Sequence, residues 1–191
     1  RQTLFFSATL STQIKNLASK YMKNPTRVQA ENFVDPTKLE QIYYDVKKHL
    51  KLSLLIHLLK TNRKGLDMIF CNSRTTANFV VKNLKANKIK AIGLHGGLSQ
   101  NQRTRTLQQF NDSKFDVLVC TDVAARGLHI GDVSSVYNYE IPRDSKDYVH
   151  RIGRTARAGE SGKVINLLCE FDYDNFSRVL AEYREFTIDK M

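Results

Sequence analysis

The sequence of 191 residues has no tryptophan, only three prolines and only three cysteines. Cys71, Cys120 and Cys169 lie far apart without a CxxC pair, which argues against a disulfide framework and a zinc site, so we expect reduced core residues. No apolar run approaches the roughly 20 residues that cross a bilayer. The first residues also lack the basic and apolar regions of a secretory signal. These absences predict an intracellular protein without a metal site, and they do not distinguish cytoplasm from nucleus.

The charge of the chain is strongly basic, with 30 Lys and Arg against 19 Asp and Glu and a net charge of +11. The basic excess lies in the first two thirds of the sequence. A basic surface suits a nucleic acid, because neutralised phosphates release their counterions. A membrane surface would instead require a basic helix with a large apolar face. On charge alone, a solvated basic face without any partner is an equal alternative.

Short β-rich runs alternate with helical patterns from about residue 39 onward, which is typical of βα units on a parallel sheet. The predicted strands cover residues 39–46, 66–70, 90–94, 116–120, 135–139 and 163–168. Several are apolar on both faces, as expected where helices cover both sides of the sheet. Ser73 is a predicted N-cap, and Ser99 with Gln102 predicts a capping box. The sequence therefore predicts an α/β fold with a mostly parallel sheet covered on both faces.

The first 30 residues do not fit this unit. The run TLFF predicts a strand, and a following helix would carry Ile14, Leu17, Ala18 and Tyr21 on one face. Residues 31–38 contain Pro36 and show no periodicity, so they predict a linker. We therefore expect the edge of another domain over residues 1–30, a linker over 31–38 and the α/β domain over 39–191.

Polar residues cluster directly after three of the predicted strands. Ligands gather at the carboxyl ends of strands in open α/β sheets, so these turns are candidate binding positions. Glycines allow close approach to a phosphate, while hydroxyl and guanidinium groups donate to phosphate oxygens. Each turn alone would be a structural loop, but their joint placement indicates a surface that tracks a nucleic-acid strand. The residues concerned are Ser73, Arg74, Gly96, Gly97, Arg103, Thr121 and Arg126.

The densest signal is the segment YVHRIGRTARAG, residues 148–159, in which Arg151, Arg154 and Arg157 recur every three residues. This spacing predicts that Arg154 and Arg157 share one face of a helix. Planar guanidinium groups match a transferring γ-phosphate, so the segment is a candidate source of arginine fingers. The alternative is a solvated basic helix start paired with Asp144 and Asp147.

These motifs, in this order, resemble the C-terminal RecA-like domain of DEAD-box ATP-dependent RNA helicases, preceded by the end of the N-terminal RecA-like domain. The resemblance covers essentially the whole chain and is highly specific in combination. Its elements are Ser7-Ala8-Thr9, the strand end Met68 to Arg74, Gln100 with Arg103 after His95-Gly96, the run Thr121 to Gly127, the strand Val136 to Tyr139, and His150 to Gly159.

The resemblance implies a role for each matching residue. Arg154 and Arg157 would be catalytic and contact the γ-phosphate of ATP, and the ATP-binding set adds Arg126, Gly127 and His129. The set that would bind RNA, as a single strand or a locally opened duplex, is Ser73, Arg74, Gly97, Gln100, Arg103 and Thr121. The set that would couple the two domains is Ser7, Thr9, His150 and Arg151.

Two positions depart from the family pattern, and two family motifs are absent. His129 stands where an Asp usually bonds the ATP ribose, and Ala156 stands where Gly is common. The sequence contains no GxxxxGK[ST] loop and no DEAD-like run for Mg²⁺. We therefore expect ATP and Mg²⁺ to be bound mainly by the N-terminal domain of a longer protein, and this chain alone not to hydrolyse ATP.

Two alternative functions stay open from the sequence. The first is an RNA-binding or protein-interaction module with weak or no ATPase activity, which RNA-stimulated ATP hydrolysis would exclude. The second is a DNA translocase of the wider helicase superfamily, which a preference for RNA over DNA would exclude.

Overall fold

The structure is a computed structural model that describes residues 3–5, 12–26, 28, 39–62, 65–126, 130–131, 133–155 and 162–191, with backbone alone at 12–15. The chain divides into two compact units, residues 1–32 and 33–191. In the first unit, the predicted helix is confirmed as α1, Thr12–Tyr21, with Leu17 and Tyr21 exposed. The prediction of a strand over TLFF is wrong for residues 3–5, which are described and form no strand. The predicted linker over 31–38 lies outside the described residues, so the proposed domain boundaries stay a prediction.

The second unit alternates strands and helices along the described chain. In order, its elements are β1 Leu39–Asp45, a 3-10 turn Lys48–Leu50, α2 Lys51–Thr61, β2 Asp67–Cys71, α3 Arg74–Ala86, β3 Ala91–Leu94, α4 Gln100–Asn111, β4 Val117–Thr121, α5 Asp122–Ala125, β5 Ser135–Asn138, α6 Ser145–Ile152, β6 Gly162–Leu168, α7 Tyr173–Glu182 and β7 Asp189–Lys190. None of the helices in the described ranges is long and apolar enough to cross a membrane.

The seven strands form one sheet in the order β3-β4-β2-β5-β6-β1-β7, and every neighbouring pair is parallel. The six predicted strands are confirmed to within one residue at each end. Strand β7 was not predicted, because its two exposed residues carry no apolar pattern. Since all strands run in the same direction, their carboxyl ends share one edge, which we call the carboxyl edge.

Apolar side chains of the strands alternate between two helical layers. One face of β2 places Ile69 and Cys71 against α2 and α3, and the other places Met68 and Phe70 against the layer of α4 and α5. Helices α6 and α7 cover the same second face over β6, so the domain has three layers. The α/β prediction is confirmed, and all three cysteines are buried and free, as expected.

Side-chain caps begin the helices that follow β2 and β3. Ser73 accepts a hydrogen bond from the Thr76 amide at 3.0 Å, so it is the predicted N-cap of α3. Ser99 and Gln102 form the predicted capping box of α4. These caps satisfy amide groups that a helix start leaves without partners. They also fix the first turns of both helices at the carboxyl edge.

A buried ion pair joins three elements near the same edge. Lys51 Nζ, at the start of α2, lies 2.5 Å from Asp172 Oδ2, and the two side chains are 4% and 7% exposed. The Asp172 carboxylate also accepts from the Ile141 and Cys169 amides, both at 3.1 Å. A buried carboxylate depends on such partners, because isolated charge is costly away from water. The pair therefore ties α2 to the ends of β5 and β6.

Lys51→Ala should lower the free energy of unfolding by about 3 to 5 kcal/mol, because it leaves the Asp172 carboxylate buried without its cation. Lys60→Ala, on the exposed face of the same helix, is the matched control and should change it by at most about 0.5 kcal/mol. Urea unfolding of both variants followed by circular dichroism measures the difference. Equal midpoints for the two variants would show that the ion pair does not stabilise the fold.

Candidate functional site

The predicted RNA-binding residues lie along the carboxyl edge of three adjacent strands. Thr121 ends β4, Ser73 follows β2, and Gly97 follows β3. Strand β4 lies between β2 and β3 in the sheet, so the three turns are neighbours. The structure thus brings these positions to one side of the edge, as the sequence analysis expected.

Ser73 and Arg74 form the exposed start of α3. The Ser73 hydroxyl oxygen accepts from the Thr76 amide and lies 3.0 Å from the Thr76 hydroxyl. Arg74 is the first residue of the helix and is exposed. A hydroxyl and a guanidinium can both donate hydrogen bonds to a phosphate oxygen. The start of a helix also favours negative charge, because the amides of its first turn point outward.

The turn after β3 is organised by His95. Its Nδ1 accepts from the Gly97 amide at 3.2 Å, which leaves the ring proton on Nε2, 2.9 Å from Asn78 Oδ1. A Cβ at position 97 would lie 3.2 Å from Nδ1, so glycine allows this close approach. Burial, with the nearby Arg74 guanidinium, lowers the pKa of His95 below its ordinary value of 6.5. The imidazole therefore favours its neutral form, which can accept from Gly97.

Gln100 and Arg103 lie in the first turn of α4. The Arg103 guanidinium makes two long hydrogen bonds, from Nη1 to Gln100 Oε1 at 3.4 Å and from Nη2 to the Ala124 carbonyl at 3.3 Å. Its Nε is buried without an acceptor among the described residues. Arg103 is therefore weakly bound by its own domain and has donor capacity for an anion.

Arg151, on α6, is the centre of a buried polar network. It is 1% exposed, and the Asp122 carboxylate accepts from its Nε at 2.6 Å and its Nη2 at 2.8 Å. Nη1 donates to Asn138 Oδ1 at 2.9 Å and to the Glu140 carbonyl at 2.6 Å, and Nη2 donates to Asn72 Oδ1 at 2.8 Å. All five guanidinium donors are thus used inside this unit.

The coupling role predicted for Arg151 is limited by this burial. Because its donors are engaged and its side chain is inaccessible, Arg151 acts on its surroundings through Asp122, Asn72 and Asn138. Asn72, Asn138 and Glu140 were not predicted as site residues. Asn72 and Asn138 lie within matched motif elements, but a position at a strand end is shared by many structural polar residues.

An open cleft lies beside this network. It is lined by Phe70, Asp122, Ala125, Arg126, Asp147, His150, Arg151 and Arg154. Arg126 forms an ion pair with Asp147, and Arg154 Nη2 donates to the Ala125 carbonyl at 3.1 Å. Burial, then Arg126 and Arg154, lower the pKa of His150, which favours a neutral imidazole between two cations. The cleft thus gathers three arginines and a histidine from the predicted ATP-binding and coupling sets.

The prediction that Arg154 and Arg157 share one face of a helix is wrong for Arg154. Helix α6 ends at Ile152 with Gly153 as its C-cap, so Arg154 lies in the turn beyond the helix. Arg157 lies outside the described residues, as do Ser7, Thr9, Gly127 and His129. Of the acidic residues in the alternative interpretation, Asp144 caps α6 and Asp147 forms an ion pair with Arg126.

The cleft can stabilise negative charge on a phosphate group. Guanidinium donors that line an open cleft match phosphate oxygens. Their charge-assisted hydrogen bonds to phosphate are stronger than hydrogen bonds to neutral carbonyls. In the described part of the chain, no group of three or more His, Cys, Asp and Glu is placed to hold a metal ion.

The family model for the helicase conserved C-terminal domain matches residues 50–159. The ATP-dependent rRNA helicase RRP3 of Encephalitozoon cuniculi is 38% identical over 191 residues, which cover all of this chain and 46% of that protein. The chain therefore spans about half the length of this relative.

Two solved structures share the fold. S. cerevisiae Dbp5 bound to RNA and ADP BeF3 has a TM-score of 0.85 at 30% identity, over 97% of this chain and 50% of that one. The E. coli DEAD-box protein SrmB bound to the regulator of ribonuclease activity A has a TM-score of 0.75 at 36% identity, over 80% and 90%. Together with the parallel sheet and the motifs along its carboxyl edge, these matches show that the chain belongs to the helicase conserved C-terminal domain family, as the RecA-like C-terminal domain of a DEAD-box RNA helicase.

Proposed function

We propose that this chain is the C-terminal half of an ATP-dependent RNA helicase, which binds the RNA backbone and supplies arginine fingers for ATP hydrolysis. One observation carries the proposal. A cleft lined by Arg126 and Arg154 and the turns that carry Ser73, Gly97 and Arg103 share one strand edge. Arg103 and Arg154 each donate to a carbonyl of the short helix α5. An ATP site and an RNA site that share one helix can influence each other.

Of the two proposed arginine fingers, Arg154 lies within the residues that the structure describes. Its guanidinium reaches the cleft and donates to a neutral carbonyl, that of Ala125. A γ-phosphate in the cleft would offer this guanidinium charge-assisted bonds. A finger stabilises the charge that develops on the transferred phosphoryl group. We assign Arg157 the same role from the motif, and Arg126, Gly127 and His129 further contacts to the nucleotide.

The remainder of the ATP site would belong to a preceding RecA-like domain. The sequence has no GxxxxGK[ST] loop to hold the β- and γ-phosphates. When ATP is bound, its Mg²⁺ would neutralise charge on the phosphates. On this proposal residues 1–30 are the end of that domain and 31–38 its linker, and Ser7, Thr9, His150 and Arg151 couple the two domains. The protein would then act inside the cell, where ATP and RNA are found together.

The RNA surface would comprise Ser73, Arg74, Gly97, Gln100, Arg103 and Thr121. These groups are suited to phosphates and sugars, which position a strand without reading its sequence. We therefore propose a single-stranded or locally opened RNA as the substrate, bound with little preference for base sequence. Dbp5, the structural relative at 30% identity, is itself bound to RNA.

The test compares ATP hydrolysis by the chain alone and by the longer protein with its N-terminal domain, each with RNA or DNA of matched sequence. The proposal predicts hydrolysis stimulated by RNA in the longer protein only. RNA binding without hydrolysis by the longer protein would instead favour an RNA-binding module. Equal stimulation by DNA would favour a translocase that does not distinguish the two nucleic acids.

Arg154→Ala in the longer protein should lower kcat for ATP hydrolysis by about 10³-fold or more, as loss of an arginine finger does. RNA affinity of the chain should stay close to that of the wild type, because Arg154 lies in the cleft rather than along the turns. Arg184→Ala, an exposed arginine after α7, is the control and should leave kcat unchanged. Turnover by the Arg154 variant close to the control would remove Arg154 from the catalytic set.

Arg103→Ala should weaken RNA binding by a similar factor for different sequences. The slope of log affinity against log salt concentration should fall by roughly 0.7 to 1, the loss of one phosphate contact. Arg105→Ala, exposed on the same helix, is the matched control. Fluorescence anisotropy with labelled RNA over a salt series gives both slopes. If the two variants share one slope, Arg103 does not contact the strand.

Acidification should open the turn at Gly97. The pKa of His95 lies below 6.5, so the neutral form holds Gly97 at pH 7, and this contribution is lost as the pH falls through the lowered pKa. The Gly97 amide signal in the NMR spectrum should shift with this titration, and its hydrogen exchange should quicken. His95→Gln should abolish the titration, whereas His57→Gln, exposed on α2, should preserve it. An unchanged Gly97 signal down to acid unfolding would contradict this account of the turn.

A further inference from the structure

A chain of buried hydrogen bonds runs from β1 to Arg151. Tyr148 donates from its hydroxyl to Gln41 Oε1 at 2.9 Å, and Asn166 Nδ2 donates to the Tyr148 oxygen at 3.2 Å. Asn138 Nδ2 donates to Asn166 Oδ1 at 2.8 Å, and Asn138 Oδ1 accepts from Arg151. Asn138, Asn166 and Tyr148 are all inaccessible to solvent. The chain thus crosses β1, β6 and β5 and ends at the guanidinium that organises the site.

The direction of this chain is set by one backbone carbonyl. Asn166 Nδ2 also donates to the Ile42 carbonyl at 3.1 Å, and a carbonyl oxygen can only accept. The amide of Asn166 must therefore present its nitrogen to β1 and its oxygen to Asn138. Asn138 must then donate to Asn166, which leaves its own oxygen for Arg151. Strand β1 thereby fixes the acceptor that Arg151 meets.

Asn138 differs in kind from the other acceptors of Arg151. Asn72 and Glu140 lie in turns after β2 and β5, and Asp122 begins the short helix α5. Asn138 is the last residue of strand β5, which pairs with β2 on one side and β6 on the other. Its oxygen is therefore the acceptor with the most rigid support. It gives the guanidinium a fixed reference point on the sheet.

The position of Arg154 depends on Arg151 in two ways. The Arg154 amide donates to the Arg151 carbonyl at 3.1 Å, so the backbone of the turn follows Arg151 directly. The Arg154 side chain donates to Ala125, at the end of the helix that begins at Asp122, and Asp122 is held by the Arg151 guanidinium. A displacement of Arg151 would thus move the turn that contains Arg154 and also the Ala125 carbonyl to which its side chain donates.

We infer that Asn138 is a positioning residue for ATP hydrolysis, and that it acts through Arg151 on Arg154 and on α5. Asn166 and Tyr148 orient it, and burial raises the pKa of Tyr148, so that its hydroxyl keeps the proton it donates to Gln41. The inference deepens the proposed function and rests on it. Its structural half, that Asn138 holds Arg151, can be tested in the 191-residue protein without the N-terminal domain.

The first experiment tests that structural half in the 191-residue chain. In the wild type, the Arg151 Nε–H should exchange slowly with solvent and give a dispersed side-chain NMR signal. Asn138→Leu, which is close in volume but lacks the acceptor, leaves Nη1 without one of its two partners. The guanidinium is then held less firmly against Asp122, so the Nε–H signal should shift and its exchange should quicken by at least about tenfold. Val136→Ala is the matched control, because Val136 lies two residues away on the same face of β5 and its apolar side chain can form none of these hydrogen bonds. The control should keep the Arg151 signal at its wild-type position.

The second experiment tests the functional half in the longer protein with its N-terminal domain. Asn138→Leu should lower kcat for RNA-stimulated ATP hydrolysis by about 10-fold to 10²-fold, because a misplacement of about 1 Å is enough for such a loss. KM for ATP should change by much less, since Asn138 does not reach the cleft. Val136→Ala, measured at a temperature where both variants are folded, should retain the wild-type kcat.

Each outcome bears on a separate claim. An Arg151 signal unchanged by Asn138→Leu would overturn the inference at its structural step. A displaced signal with wild-type kcat, or an equal loss of kcat in Val136→Ala, would overturn the positioning role and leave only a structural one. A wild-type longer protein without RNA-stimulated hydrolysis would contradict the proposed function and the positioning role that rests on it, while the NMR result would still decide whether Asn138 holds Arg151.

Discussion

The buried pair of Arg151 and Asp122 is the interaction on which the site depends. Burying a guanidinium is costly unless its donors are satisfied, and here the Asp122 carboxylate, two side-chain amides and one carbonyl take all five. The acceptors come from the ends of β2, β4 and β5. Because the whole set must be present for the charge to be tolerated, one side chain on α6 fixes the relative positions of three strand ends.

The buried Arg151 contrasts with two arginines that are partly exposed. Arg103 and Arg154 each donate to a carbonyl at the end of α5, those of Ala124 and Ala125. Charge-assisted bonds to phosphate are stronger than a bond to a neutral carbonyl, so a bound phosphate would attract both side chains. The site therefore combines a rigid buried centre with two partly exposed arginines. Helix α5 carries both acceptor carbonyls, so it connects the proposed RNA contact of Arg103 with the proposed ATP contact of Arg154.

The sequence predicted the sheet well, because its strands are buried on both faces and their apolar runs stand out. It also placed Ser73 and Ser99 at helix starts, since capping is a local signal. It failed to end α6 before Arg154, because a three-residue arginine spacing resembles a helical one. It could not find Asn138 or Asn166, whose partners lie on strands distant in sequence. Local patterns predict elements, whereas a buried hydrogen-bond chain exists only after those elements have packed.

The most direct measurement is a crystal structure of the longer protein, with its N-terminal domain, bound to single-stranded RNA and a non-hydrolysable ATP analogue. The account predicts that Arg154 leaves the Ala125 carbonyl and donates to a γ-phosphate oxygen at about 2.8 Å, the usual length of a charge-assisted bond. It also predicts that Arg151 keeps its five acceptors. A structure in which Arg154 stays on Ala125 beside a bound γ-phosphate, or in which Arg151 releases Asp122, would contradict it.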